Sequence, residues 1–132
     1  SFLQAFARIG LLPDGGSTWF LPRLVGEQRA RALAMLAPKI PAEQAKEWGL
    51  IWDVVDDADL MPTASALARK LADGPTLALA RIKEAMNRSA GNDIDRQLDV
   101  ERDFQRELGR SEDFREGVSA FLAKRAPAFK GK

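Results

Sequence analysis

One carboxylate in this chain stands where chemistry would be expected. Asp14 lies in the run Ile9-Gly10-Leu11-Leu12-Pro13-Asp14-Gly15-Gly16-Ser17-Thr18-Trp19, between an apolar stretch and a glycine pair that opens a helix. A carboxylate among apolar groups is costly as an anion unless it is paired. Such a site raises its proton affinity and lets it exchange protons near neutral pH. Gly15 and Gly16 permit close approach of backbone, and the helix that follows offers unpaired N–H groups and a positive dipole end. A structural role competes: Asp before a helix is a favoured N-cap, and the local sequence by itself favours capping. The chain contains no His, Cys or Tyr. Proton transfer by its own side chains therefore falls to Asp, Glu or Lys, and disulfide or thiolate chemistry is excluded.

The elements that must position this residue are mostly helical. A helix is predicted from Ser17, with Pro22 in its first hydrogen-bonded turn and Gly26 ending it. Ala30, Leu33, Ala34 and Ala37 recur at helical spacing and predict a second helix over 27–36, stopped by Pro38. Pro41 suits the first position of a short helix closed by Gly49. Leu50-Ile51-Trp52-Asp53-Val54-Val55 reads as a short strand. Four further helices follow. The first is marked by Leu60, Ala64, Leu67, Ala68 and Leu71, the second by Leu79, Ile82 and Met86, and the third by Ile94, Leu98, Phe104 and Leu108. The last is capped by Ser111 and presents Phe114, Val118 and Phe121 on one face.

Composition narrows the function classes. The 132 residues are 45% hydrophobic and 30% charged with a net charge of +1, the balance of a globular segment. Nothing suggests disorder or a nucleic-acid footprint, no apolar run is long enough for a bilayer, and the absence of Cys suits a reducing cytoplasm. Arg102, Asp103, Arg106, Glu107 and Arg110 read as a solvated helix face with i,i+3 and i,i+4 pairs. Asp56, Asp57 and Asp59 precede a helix and favour its N-terminus rather than a cation site. Trp48 and Trp52 read as packing residues, and Gly15-Gly16 lacks the spacing of a nucleotide loop.

Three segments, in order, resemble the crotonase (enoyl-CoA hydratase/isomerase) superfamily. The run Ile9 to Thr18 followed by Leu21-Pro22-Arg23-Leu24-Val25-Gly26 resembles the family's active-site loop and the helix after it. Lys39 to Ile51 resembles a helix that ends in Gly-Leu-Val. Arg115 to Arg125, with Pro127 and Phe129, resembles the family's closing helix. The resemblance covers essentially the whole chain, yet family subunits are about twice as long. It therefore implies a chain that is mainly α, the C-terminal half of an α/β crotonase fold (the ClpP/crotonase-like ββα spiral). Ser1 to Phe6 would be the last strand of the core, residues 1–56 the end of that core with the active-site loop, and residues 57–132 the helical region that builds oligomers and contacts coenzyme A. A truncated or proteolytic half, inactive by itself, is expected.

The resemblance also implies a mechanism. Crotonase enzymes hold an acyl-CoA thioester oxygen between two backbone N–H groups, stabilise an enolate, and move protons with carboxylates. In hydratases two Glu residues share that work, and one of them would fall at Phe6, which cannot carry a proton. Asp14 falls where family members lacking that Glu, among them the isomerases of fatty-acid and phenylacetate breakdown, carry their working aspartate. Catalysis then outweighs capping as the role of Asp14. The implied site residues are Asp14 as acid/base, with Phe6, Gly15, Phe121 and Lys124 toward substrate and coenzyme A. No metal and no cofactor beyond the coenzyme A of the substrate are implied. The implied partners are an acyl-CoA and further copies of the parent, as a trimer or dimer of trimers, with no nucleic acid or membrane. A second reading makes this chain an oligomerising, coenzyme-A-clamping module without catalysis of its own.

Overall fold

The computed structural model describes all of residues 1–132, and the chain divides into two compact units, Ser1–Asp57 and Ala58–Lys132. In the first unit a 3₁₀ turn, Ala5–Ile9, precedes three helices: α1 (Ser17–Val25), α2 (Glu27–Leu36) and α3 (Ala42–Glu47). Gly26 ends α1 and caps α2, its N–H donating to the Pro22 carbonyl at φ 82°, a conformation costly for any side chain. Leu21, Val25, Ala30, Leu33, Ile40 and Ala45 form the core, with Trp48, Leu50 and Ile51 half-buried against it. These positions are the inward faces of α1 to α3 plus Ile40, so the helical spacing of apolar residues translates directly into burial. The Arg29 guanidinium lies 5.2 Å from the Trp48 ring centroid, while Trp52 is 88% exposed; of these two tryptophans only Trp48 packs within the unit.

Two expectations of extended structure are corrected. Ser1 to Phe6 was expected to form a strand. Instead a single antiparallel bridge joins Phe2 to Ile40, each N–H donating to the other carbonyl at 2.9 and 3.0 Å, and the chain then winds into the 3₁₀ turn. Residues 50–55 likewise form no strand. The Leu50 and Ile51 amides both donate to the Ala45 carbonyl, at 2.8 and 3.4 Å, so the end of α3 takes the groups a ladder would need. Gly49, at φ 76°, makes that reversal. Pro41 lies one position earlier than expected, as the N-cap of α3.

α4 (Asp57–Ala72) starts on the last residue of the first unit and otherwise belongs to the second, with α5 (Thr76–Ser89), α6 (Ile94–Leu108) and α7 (Glu112–Leu122). Asp93 and Ser111 cap α6 and α7, accepting from the Arg96 and Phe114 amides at 2.8 and 3.0 Å. α5 packs against α6, and Arg81 ties them together. Its Nε and Nη2 donate to the two carboxylate oxygens of Glu107 at 2.8 and 2.7 Å, and its Nη1 donates to Glu84 at 2.7 Å. α4 buries none of its residues. No helix is long and apolar enough to cross a membrane.

Candidate functional site

The Asp14 loop is shaped by three left-handed glycines. Gly10 (φ 76°) closes the 3₁₀ turn, where the Leu11 N–H donates to the Phe6 carbonyl at 3.0 Å. Gly15 and Gly16 follow at φ 60° and 83°, and Gly16 is the N-cap of α1 without a side-chain cap. A Cβ on Gly15 would meet nothing within 4 Å, whereas one on Gly16 would lie 3.2 Å from the Phe20 ring. Both glycines are therefore required by their backbone angles, and a side chain at Gly16 would in addition press on the exposed Phe20 ring. Pro13 is buried and anchors the loop.

Asp14 is exposed and does not cap α1; it contributes its carbonyl, which accepts from the Ser17 N–H at 2.9 Å. The capping role that the local sequence favoured is thus not the one realised. An apolar hollow of about 180 Å³ adjoins the loop between α1 and α2, walled by Pro13, Ser17, Leu21, Ala30, Ala34 and Met35. Asp14 flanks Pro13 in the chain without forming part of that wall. Phe6 is half-buried within the 3₁₀ turn. One turn into α1, Trp19 stacks with the Arg23 guanidinium at 3.8 Å and meets Phe20 edge-on at 4.7 Å.

Phe121 and Lys124 meet at the end of α7 in the second unit. Phe121 is 82% exposed, and its carbonyl accepts from the Lys124 N–H at 3.2 Å. Lys124 is left-handed at φ 52°, a conformation that costs a non-glycine residue about 1–3 kcal/mol and persists only where its surroundings enforce it. An apolar groove of about 560 Å³ lies beside it, walled by Ile82, Leu108, Phe114, Val118, Phe121 and Phe129 among others.

Sequence reasoning missed the carboxylates that hold the C-terminal segment. Asp113, only 5% exposed, accepts from the Lys130 and Gly131 amides at 2.7 and 2.9 Å, while its own N–H donates to the Lys132 carbonyl at 2.9 Å. Glu116 accepts two bonds from the Arg125 guanidinium, at 2.5 and 2.8 Å, and a third from the Ala128 N–H at 2.8 Å. Arg125, then the Ala128 amide, hold the Glu116 carboxyl at about 2, far below its ordinary 4.5. The only local signal was acidic residues early in α7, which dipole complementarity already explained.

A glycine-shaped loop that sets one carboxylate before a helix, followed by a series of short helices, is the arrangement the comparisons with known proteins recognise. The chain belongs to the enoyl-CoA hydratase/isomerase family, whose pattern it matches over residues 1–132. It is 58% identical, over 99% of its length and 50% of the relative's, to the 1,2-epoxyphenylacetyl-CoA isomerase of Escherichia coli K12. It is 35% identical to the trans-2-decenoyl-[acyl-carrier-protein] isomerase of Streptococcus mutans, over 99% of this chain and 50% of that one. The crystal structure of an enoyl-CoA hydratase/isomerase from Cupriavidus metallidurans superposes with a TM-score of 0.91 at 34% identity, covering 98% of this chain and 49% of the other. The chain spans about half the length of the curated relatives it matches.

Proposed function

We propose that this chain is the C-terminal half of an acyl-CoA isomerase that acts through an enolate, with 2-(1,2-epoxy-1,2-dihydrophenyl)acetyl-CoA as substrate and Asp14 as its acid/base. The observation that carries the proposal is the 58% identity to the E. coli isomerase. Phe6 supports it, because an aromatic ring stands where a hydratase would carry a second proton-handling Glu. In this reading the substrate carbon lies over Gly15, whose missing side chain leaves open space. Asp14 takes a proton from one carbon and returns it to another, while the thioester oxygen is held by backbone donors of the other half. Phe121 offers an apolar ring to the coenzyme A adenine, and Lys124 a flexible ammonium to its phosphates. The parent assembles as a trimer or dimer of trimers. No cofactor is required beyond the coenzyme A of the substrate, and the enzyme works in the cytoplasm.

The test uses the full-length parent and its Asp14→Asn variant, each offered the epoxide thioester and, separately, an enoyl-CoA. Isomerisation of the epoxide that disappears in Asp14→Asn supports the proposal. Hydration of the enoyl-CoA without epoxide turnover would assign the parent to the hydratases of the family. Undiminished isomerisation in the variant would leave this half as a clamp and oligomerisation module.

A further inference from the structure

Lys124 sits in a costly backbone conformation, and the groups that enforce it are all on α7. Its own N–H donates to the Phe121 carbonyl at 3.2 Å; after it, the Arg125 N–H donates to Ala120 at 3.1 Å. These bonds fix the peptide on either side of Lys124 and so the direction of its Cα–Cβ bond. Arg125 is then held a second time through its guanidinium, gripped by both oxygens of Glu116, and Glu116 also takes the Ala128 amide. The chain beyond lies back along α7 as a strap. Its Phe129 ring would stand 3.6 Å from a Cβ added on Gly117 and walls the same groove as Phe121. The strap ends at Asp113, which receives the Lys130 and Gly131 amides. A bidentate guanidinium–carboxylate pair is the geometry suited to such a grip, since it fixes orientation as well as distance.

We propose that Glu116 and Arg125 are positioning residues that hold Lys124 in the arrangement that receives the nucleotide end of coenzyme A. The proposal rests on the coenzyme A reading of Lys124 given above. It predicts that the Glu116 carboxylate influences substrate binding although it carries the wrong charge to meet a phosphate.

The experiment compares four forms of the full-length parent: wild type, Lys124→Ala, Glu116→Gln and the double variant. Km and kcat are measured for the acyl-CoA, and amide hydrogen exchange is followed at Ala128, Lys130 and Gly131. Lys124→Ala should raise Km. Glu116→Gln should raise Km by about three- to tenfold, with a smaller change in kcat and faster exchange at Ala128. The double variant should bind no worse than Lys124→Ala, because two residues acting through one contact are not additive. An unchanged Km for Lys124→Ala would overturn the coenzyme A reading and this proposal with it. A raised Km for Lys124→Ala but not for Glu116→Gln, with the strap loosened at Ala128, would overturn the positioning role alone. So would additive losses in the double variant.

Discussion

Asp14→Asn separates the proton from everything else the residue supplies. The backbone carbonyl that receives the Ser17 N–H survives the exchange, so the loop should keep its shape. Turnover of the parent should fall by about 10²- to 10⁴-fold, the usual worth of a positioned acid/base, with an unchanged circular dichroism spectrum. Ser111→Ala is the stability counterpart: it removes the acceptor for the Phe114 amide and should cost about 1 kcal/mol in denaturant unfolding. The Ser111 cap and the shape of the Asp14 loop were legible because their settings are local, a helix start in one case and a glycine pair in the other. Asp113 and Glu116 were not. Their partners lie 9 to 18 residues downstream, in an extended segment that has no periodicity to reveal which amide meets which carboxylate.

At the scale of elements, the strap gives a pH dependence with a definite sign. The Glu116 carboxyl is depressed from 4.5 to about 2. Its contribution is therefore fully present above about 4.5 and is lost as the pH falls through 2. Carboxyl ¹³C shifts should show Glu116 titrating below the other glutamates, except where Arg81 and Arg88 also lower Glu84. Gly131 offers a complementary perturbation. Its φ is 75°, and a Cβ there would come within 2.4 Å of Thr76 Oγ1. Gly131→Ala should therefore expose the Lys130 amide to exchange, at a cost of about 1–2 kcal/mol from the left-handed conformation alone. Helix boundaries were readable from Pro, Gly and capping residues, α2 to the residue. The supposed strand at 50–55 was misread because β-branched residues signal burial on a flat surface, and packing against α3 satisfies the same preference. Arg81 was equally hidden, since its bond to Glu107 spans 26 residues.

For the whole molecule, the governing fact is how much apolar surface faces outward. Ile9, Leu12, Met35, Leu36, Phe121 and Leu122 are each more than 70% exposed, whereas patches of that kind on a soluble protein mark surfaces made to be covered. The purified 132-residue chain should accordingly self-associate as its concentration rises, read by sedimentation velocity. In the reading proposed above the oxyanion donors belong to the other half, so the chain should also show no acyl-CoA isomerase turnover, the loss of even one such donor costing about a hundredfold or more. Detectable turnover by the chain free of any complementing fragment would mean that the oxyanion donors are here after all. Leu33→Ala, at a site 3% exposed, should destabilise the first unit by about 2–5 kcal/mol. The family was legible because its motifs are contiguous in sequence; the exposed faces were not, because amphipathicity announces that a face is covered without naming what covers it.

The tryptophans add an optical consequence. All three, Trp19, Trp48 and Trp52, fall within Ser1–Asp57, and the chain has no tyrosine. Emission excited at the indole band therefore reports on the first unit alone, while Ala58–Lys132 is dark apart from its weak phenylalanines. Heating followed in parallel by indole fluorescence and by helical ellipticity would separate the melting of one unit from that of the pair. Trp19, stacked on Arg23 and five residues beyond Asp14, would serve in the same cuvette as a built-in lamp beside the loop, its brightness reporting on the order of that segment.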